Sequence, residues 1–270
     1  MQNAQLSWQQ SGVLAAGLAG LSLALYHAGP GRMRRLAPFA REAGVIAALY
    51  ALWQLAGTLS VLGTSGAMRR AADIAALERD WHLPSESSVQ RLITGHPVLV
   101  ETSNLYYATM HFGALFVFLF WLFIRHRDQY RQVRVVLVWV TLLCLLVQLL
   151  PVAPPRLLPG YVDTAAQYGQ SVYGLGLAPD ELSAMPSVHV AWALLIAWAT
   201  LRIGSGPWRW LGPAHAALTA FVVVATANHF WLDGVVAAVL LACCLVSQQQ
   251  LAGRRVCRLA DTRAEDVLSP

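Results

Sequence analysis

The chain contains no lysine and few charged residues of any kind. All 19 basic residues are arginines, and charged residues make up only 12% of the 270 positions. A soluble domain carries about 25% charged residues, whereas hydrophobic residues make up 57% of this chain and its mean hydropathy is +0.50. The shortage of charge therefore excludes an ordinary soluble domain and predicts a protein that crosses a membrane several times.

Paired cysteines and concentrated basic charge are also missing. The four cysteines include no CxxC pair, so the sequence predicts neither a disulfide framework nor a thiolate zinc site. The net charge of +5 comes mostly from arginines in short loops between apolar runs. That pattern orients membrane proteins and is not typical of a nucleic-acid-binding surface. We therefore predict no nucleic-acid partner.

Seven apolar runs predict the membrane spans. They cover residues 11–26, 43–62, 104–124, 135–152, 187–201, 211–228 and 230–246. Several are slightly shorter than the roughly 20 residues of a typical span, and flanking Trp and Tyr residues extend them. No basic region or cleavage site marks the first run as a signal peptide, so we count it as a span. The predicted fold class is an all-α polytopic membrane helix bundle with six to seven spans.

Four arginine clusters orient these spans. They follow the first, third, fifth and seventh runs, and if every run spans the membrane they all lie on one side. The clusters are Arg32, Arg34, Arg35 and Arg41; Arg125, Arg127, Arg131 and Arg134; Arg202 and Arg209; and Arg254, Arg255, Arg258 and Arg263. The positive-inside rule makes that side cytoplasmic. We therefore predict a multi-pass protein of the cell membrane with a cytoplasmic C-terminus.

An amphipathic segment precedes the third run on the predicted extracytoplasmic side. One face of residues 66–82 carries the apolar side chains, and Pro84 ends the helix before a second short helix that reaches Ile93. The apolar face comprises Met68, Ala71, Ile74, Leu77 and Trp81. This segment is either a cap that lies on the membrane surface beside a functional site, or a simple connector.

A histidine and an aspartate stand where the last two apolar runs meet. His229 and Asp233 are four residues apart, so on a helix they share one face. An aspartate at mid-membrane costs about 2.5–3.5 kcal/mol on insertion scales, and such groups usually pair and do chemical work. The aspartate can fix the histidine tautomer and make its other nitrogen a better base or nucleophile. This extracytoplasmic pair is the centre of the predicted site.

Two other segments on the same side carry chemistry suited to phosphate. Ser187 and His189 open the fifth run after a proline, where free backbone N–H groups and the hydroxyl form a seat for an anion. Arg156 ends the Ala153-Pro154-Pro155-Arg156 turn, and its guanidinium suits phosphate oxygens. The alternatives are an ordinary helix start with an interfacial histidine, and an arginine that contacts lipid headgroups.

Further polar residues accompany these segments. Asn104, Tyr107 and His111 share one face of the third run at its outer end, either as supporting residues of the site or as ordinary interfacial ones. Asn228 directly precedes His229. We predict no metal site, because the carboxylates on this side are scattered and form no paired-aspartate cluster.

In order, these motifs resemble the type 2 phosphatidic acid phosphatase superfamily, and within it the branch that contains inositolphosphorylceramide synthases. The resemblance covers about residues 100–247. The chain lacks the Lys-x6-Arg-Pro motif of the phosphatase branch, and it has Val222 and Val223 where that branch has Ser-Arg before the histidine. Val188 also replaces the glycine of Pro-Ser-Gly-His. These departures favour the transferase-like branch.

The resemblance implies a division of roles among the site residues. His229 would attack phosphorus and form a phosphohistidine, with Asp233 orienting its ring. His189 would protonate the leaving oxygen and then activate the acceptor, while Arg156 and Ser187 would bind the phosphate. The implied substrate is a phospholipid or sphingolipid, and no cofactor is implied. The chain would divide into N-terminal spans with the amphipathic segment (1–98), a catalytic membrane domain (99–247) and a cytoplasmic tail (248–270).

Two alternatives remain at the level of sequence. A lipid phosphate phosphatase would use the same residues with water as the acceptor. A transporter would use His229, Asp233, His189 and His111 to relay protons or bind a metal, since ionisable residues inside a membrane also mark such pathways. Arg156 favours the enzyme, because a metal site gains nothing from an adjacent cation. The sequence does not indicate an oligomeric state.

Overall fold

The computed structural model describes residues 7–27, 30–60, 66–170 and 181–268, and these residues are mainly helical. The longer helices are α1 (Trp8–His27), α2 (Ala37–Ser60), α3 (Ala67–Asp80), α4 (Glu86–Thr94), α5 (Pro97–Arg125), α6 (Arg127–Gln148), α7 (Val188–Ile203), α8 (Leu211–Ala225) and α9 (Trp231–Leu268). An isolated bridge between Val152 and Ser183 is the only β-type pairing among the described residues. The predicted all-α fold class is confirmed.

The apolar runs correspond to helices, as expected for a membrane bundle. Within the described residues, three helices are long and apolar enough to cross a membrane: Pro97–Arg125, Arg127–Gln148 and Trp231–Leu251. Helix α7 is equally apolar but shorter, at 16 residues. Helix α8 ends three residues before the predicted run does, because the chain turns sharply there. The end of the predicted second run, residues 61–62, lies outside the described residues.

Helix α7 lies at the centre of the bundle and contacts α5, α6, α8 and α9. Its buried side chains, among them Leu195 and Ile196, pack with those of α6 and α5 in one apolar core. Against α8 the packing is closer still: a Cβ atom on Gly212 would come within 2.9 Å of the Ala197 Cα atom, so this approach requires glycine. The central position of α7 fixes His189, in its first turn, relative to four other helices.

Helices α3 and α4, hereafter the cap, form where the amphipathic segment was predicted. Three of the predicted apolar side chains stay exposed: Met68 by 45%, Leu77 by 40% and Trp81 by 59%. The side of α3 that faces the bundle instead buries Ala71 and a carboxyl group, that of Glu78. The cap therefore keeps several apolar side chains of α3 exposed, and it contacts the bundle through small, polar and apolar groups, including Ile93 of α4.

Candidate active site

Two loop segments that the sequence singled out lie side by side. The backbone N–H of Val152 donates to Leu182 O at 2.7 Å, and that of Ala184 donates to Val152 O at 3.1 Å. The Gln148 side chain at the end of α6 donates to Pro186 O at 3.0 Å. These bonds bring the turn that carries Arg156 next to the start of α7.

Ser187, at the start of α7, contacts the segment that carries His229 and Asp233. Its hydroxyl accepts from the Val190 N–H at 3.3 Å and so caps α7, as serine commonly does at a helix N-terminus. Its own N–H donates to Asp233 O at 3.2 Å. Ser187 is fully buried. Ser187 thus connects the start of α7 directly to the segment that carries His229 and Asp233.

A tight turn at the end of α8 presents His229. The N–H groups of Asn228 and His229 both donate to Val223 O, at 3.0 and 3.1 Å. Ala227 has a φ of +53°, in the left-handed region that residues other than glycine seldom adopt. The turn stops the helix and places the His229 ring beside the first turn of α9.

Hydrogen bonding fixes the tautomer of His229. Its Nδ1 lies 2.7 Å from Ala184 O and 3.2 Å from Asp233 Oδ2, and both partners are acceptors. Nδ1 must therefore carry the proton, which leaves Nε2 with its lone pair. Nε2 is buried and has no hydrogen-bond partner among the described residues. A nitrogen in this state can attack an electrophile.

Asp233 is completely buried at the start of α9. In addition to His229, its Oδ2 accepts from the Phe230 N–H at 2.9 Å. A carboxylate in the first turn of a helix is stabilised by the free N–H groups and by the helix dipole. Asp233 can therefore accept from the His229 Nδ1–H and hold the ring in one orientation.

The rings of Tyr107, His111 and His229 surround His189. Tyr107 stacks on it with ring centroids 4.5 Å apart and planes inclined by 21°, and His111 lies at 4.2 Å. The His229 ring lies at 5.5 Å from it. Tyr107 and His111 thus belong to the same ring cluster as the two predicted catalytic histidines. Asn104 does not, because its side chain hydrogen-bonds Thr164 and Gln170 of the adjacent loop.

Arg156 is 5% exposed and contacts the His229 turn. Its N–H donates to Ala227 O at 2.9 Å, and its Nη1 donates to Asn228 Oδ1 at 2.7 Å. Its Nε lies 3.2 Å from Asp163 Oδ2 and its Nη2 3.1 Å from Glu181 Oε1. The guanidinium is thus held next to His229 while two carboxylates already occupy it.

Comparison with known protein families identifies the superfamily of this arrangement. The family model described as PAP2 superfamily matches residues 72–247. The chain belongs to the PAP2 superfamily. No curated protein and no solved structure gave a significant match. Membership in this superfamily supports a lipid phosphatase- or phosphotransferase-type function, and the match includes every predicted site residue.

Sequence reasoning missed two carboxyl groups of this PAP2 protein. Glu78 of the cap is 4% exposed and its Oε1 accepts from the Leu232 N–H at 2.7 Å, one residue before Asp233. Glu86 is 3% exposed and accepts from the Tyr161 hydroxyl at 3.0 Å. Burial and the neighbouring Glu86 carboxyl raise the pKa of Glu78 to about 9. At neutral pH Glu78 therefore holds a proton.

The described part of this PAP2 protein was compared with the ligand sets that hold a metal. Among the described residues, no group of three or more His, Cys, Asp or Glu side chains has an arrangement that could hold one. The histidines of the site instead contact one another through ring faces and edges, and the Nδ1 of His229 is directed to oxygen acceptors.

Proposed function

We propose that this protein is an integral membrane lipid phosphotransferase of the inositolphosphorylceramide synthase type, acting through a phosphohistidine. The observation that carries the proposal is the state of His229. Its protonated Nδ1 is held by Ala184 O and Asp233, and its bare Nε2 is buried beside His189. A nucleophile that is oriented by a carboxylate and lies beside a second titratable group is the arrangement covalent catalysis requires.

In the first half-reaction, the Nε2 lone pair of His229 attacks the phosphorus of the donor lipid. The bond between phosphorus and the alcohol oxygen of the lipid breaks, and that oxygen leaves with the bonding electrons. His189 supplies the proton that neutralises it. The products are a neutral lipid alcohol and a phosphohistidine that carries the headgroup, such as phosphoinositol.

The second half-reaction reverses these roles. His189, now unprotonated, accepts the proton of an acceptor hydroxyl, whose oxygen attacks the phosphorus. The phosphorus–nitrogen bond breaks and His229 recovers its lone pair. Asp233 and the N–H groups of the first turn of α7 stay in place throughout, so the developing charge meets groups that need not reorganise.

Burial of the site favours an alcohol acceptor over water. His229 is 4% exposed, Asp233 is fully buried, and the cap is bonded to α9 through Glu78 and through the Trp231 indole, which donates to Pro84 O at 2.7 Å. A covered site limits hydrolysis of a reactive intermediate. A lipid phosphate phosphatase remains the second candidate, since water could enter the same site.

Arg156 is proposed to bind the phosphate by exchanging partners. Asp163 and Glu181 are only partly buried, with side chains 28% and 34% exposed, whereas the Arg156 side chain is 2% exposed. The two carboxylates can therefore move toward solvent while the guanidinium stays fixed by its backbone and by Asn228. Phosphate oxygens would then take their places in a bidentate contact.

A transfer assay tests this function. The purified protein is incubated with phospholipids carrying labelled headgroups and with ceramide or diacylglycerol as acceptor, in EDTA. We expect the headgroup to move to the acceptor, vanadate to inhibit, and an acid-labile, base-stable phosphoprotein to accumulate when the acceptor is omitted. Release of free headgroup phosphate alone would assign the protein to the phosphatase candidate, and restoration of lost activity by a metal after EDTA would contradict the mechanism.

The sidedness of the site is also a proposal, motivated by the arginine clusters. Two proteins with one cysteine each test it. One keeps only the native Cys257, and the other carries only Gln167→Cys, at an exposed position of the helical turn Thr164–Gln167. An impermeant thiol reagent added to intact cells should modify Gln167→Cys and leave Cys257 unmodified. The opposite pattern would place the chemistry in the cytoplasm.

A further inference from the structure

A cavity of about 710 Å³ lies between α1, α2, α5, α6 and α7, beside the proposed active site. Pockets of roughly 300–1,000 Å³ are the usual size for small organic ligands. The lining includes the His111 and His189 side chains at one end, and most of the remainder is leucine, alanine, isoleucine and phenylalanine. We refer to the part next to these two residues as the histidine end.

The shape of the cavity follows from helical spacing. On α5, His111, Leu115 and Leu119 all line it, and a rise of 1.5 Å per residue places Leu119 about 12 Å from His111. On α2, Tyr50, Ala47 and Ala43 line the opposite wall at similar spacing. The cavity is therefore elongated along the helices, with its apolar end directed away from the histidines.

The polar side chains of the lining offer little to a polar ligand away from the histidine end. Ser11 bonds Gln54 at 3.4 Å, and Thr141 accepts from the Trp192 indole at 2.9 Å. Tyr50 also has a partner. An occupant of the apolar part must therefore be hydrocarbon, because burying an unpaired polar group there would cost free energy.

We propose that this cavity binds one alkyl chain of the lipid substrate, with the phosphate at the histidine end, and that α1 and α2 limit the length of that chain. The inference rests on the proposed function for its assignment to a substrate. It is supported by continuity: His189 belongs both to the cavity wall and to the ring cluster around His229.

The walls contributed by α1 and α2 lie outside the matched region, which begins at residue 72. These two helices pack closely, since a Cβ atom on Gly44 would lie 3.3 Å from both Ala15 O and Leu18 Cβ. This contact sets the positions of Leu18 and Ala47 in the wall. Selection by chain length is thus a property that this chain adds to the common catalytic unit.

Ala47→Trp tests the proposal by placing a ring midway along the cavity. The control is Val13→Trp on α1, because Val13 is 73% exposed and outside the lining. Donor lipids with one headgroup and either hexanoyl or stearoyl chains are compared in mixed micelles. Loss of several buried methylene groups should lower kcat/KM for the stearoyl donor about 10-fold or more in Ala47→Trp, with the hexanoyl donor little affected.

A binding measurement separates this proposal from the proposed function. A phospholipid with a diazirine at the end of its chain should label peptides of α2 and α5 in the native protein and in Val13→Trp, and label them less in Ala47→Trp. If the native protein transfers no headgroup, the proposed function fails while the labelling still decides the cavity. Equal losses on both donors, or labelling confined to the outer surface, would overturn the proposal, and Ala47→Leu gives the same test if Ala47→Trp does not fold.

Discussion

Around His229, polar side chains from separate segments of the chain are held in place by directional hydrogen bonds. His229, Asp233 and Ser187 are buried and are bonded to backbone groups of neighbouring segments. At the opposite end of the cavity, Leu119 and Ala43 form walls by shape alone. The two regions share α5 and α7, which carry His111 and His189, but they differ in what a substitution can change.

The difference follows from the distance dependence of the interactions involved. A hydrogen bond weakens steeply with small changes in angle and distance, so one displaced group at the histidine end alters the chemistry. Apolar contacts are individually weak and non-directional, so a change in the cavity wall alters only how much hydrocarbon fits. Substitutions around His229 and His189 should therefore change kcat, and substitutions in the apolar part of the cavity should change selectivity.

The largest effect is expected for His229→Ala. Removal of a nucleophile typically lowers kcat by roughly 10⁴-fold or more, and no phosphoprotein should form. Asp233→Asn keeps the side-chain volume but changes the bonding at Nδ1, so it should lower kcat on the order of 10²–10⁴-fold. Both are measured by transfer assay and phosphoprotein trapping.

Thermal unfolding of the detergent-solubilised variants provides the control for these two substitutions. Asp233→Asn should unfold within a few degrees of the native protein, which would separate a chemical effect from a structural one. Normal turnover by His229→Ala would rule out the covalent mechanism.

His189→Ala should be severe on a natural lipid and milder on an activated ester. A positioned acid contributes about 10²–10⁴-fold, but a p-nitrophenyl leaving group needs no proton. The measurement is the ratio of kcat/KM for the two substrates in His189→Ala and in His229→Ala. If both variants lose the same factor on both substrates, the acid and the nucleophile are not the separate groups proposed.

The sequence predicted the parts of the fold that depend on local periodicity. Apolar runs predicted the helices. The contact predicted between His229 and Asp233 is present, but the shared helix face is wrong, because His229 lies in the turn before α9. The pairing of the Arg156 turn with the start of α7 depends on the bridge between Val152 and Ser183, which no local pattern encodes. Ordered motifs indicated which segments form the site, but not how they meet.

The missed groups are those whose partners lie far along the chain. Glu78 bonds Leu232, 154 residues away, so no local pattern marks its carboxyl as buried. Asp163 and Glu181 follow Arg156 in the segment between two predicted spans, where Arg156 is the only basic residue. Acidic residues in the same segment were the available signal that Arg156 has ion-pair partners. Asn104 shares a helix face with Tyr107 but is one turn farther out, where the loop at Thr164 binds it.

A smaller effect is expected for Glu181→Gln. Substrate phosphate must displace this carboxylate from Arg156, and a partly exposed ion pair is worth about 0.2–1 kcal/mol. The variant should therefore lower KM for an anionic phospholipid by up to about 5-fold with little change in kcat. Glu101→Gln, at an exposed position of α5, is the control. A raised KM would mean that Glu181 helps to position Arg156 and does not compete with substrate.

The smallest effect concerns the carboxyl pair beneath the cap. The pKa of Glu78 is raised from 4.5 to about 9 by burial and by Glu86, so the folded protein keeps a proton that the unfolded chain releases. Stability from this group is fully present below pH 4.5 and falls as the pH rises toward 9. Glu78→Gln should abolish this dependence, because the amide oxygen can still accept from the Leu232 N–H and the amide N–H can donate to Glu86.

The measurement is the Tm of the detergent-solubilised native protein, of Glu78→Gln and of the matched control Glu101→Gln, each at neutral and at alkaline pH. We expect the native protein and the control to lose a few degrees on going to alkaline pH, and Glu78→Gln to lose less. Leu232 is adjacent to Asp233, so loss of the Glu78 proton should weaken the contact between the cap and α9 and lower kcat in the native protein. In Glu78→Gln, kcat should fall less as the pH rises. An unchanged pH dependence of both Tm and kcat in Glu78→Gln would show that the pair does not hold a proton and does not couple the cap to α9.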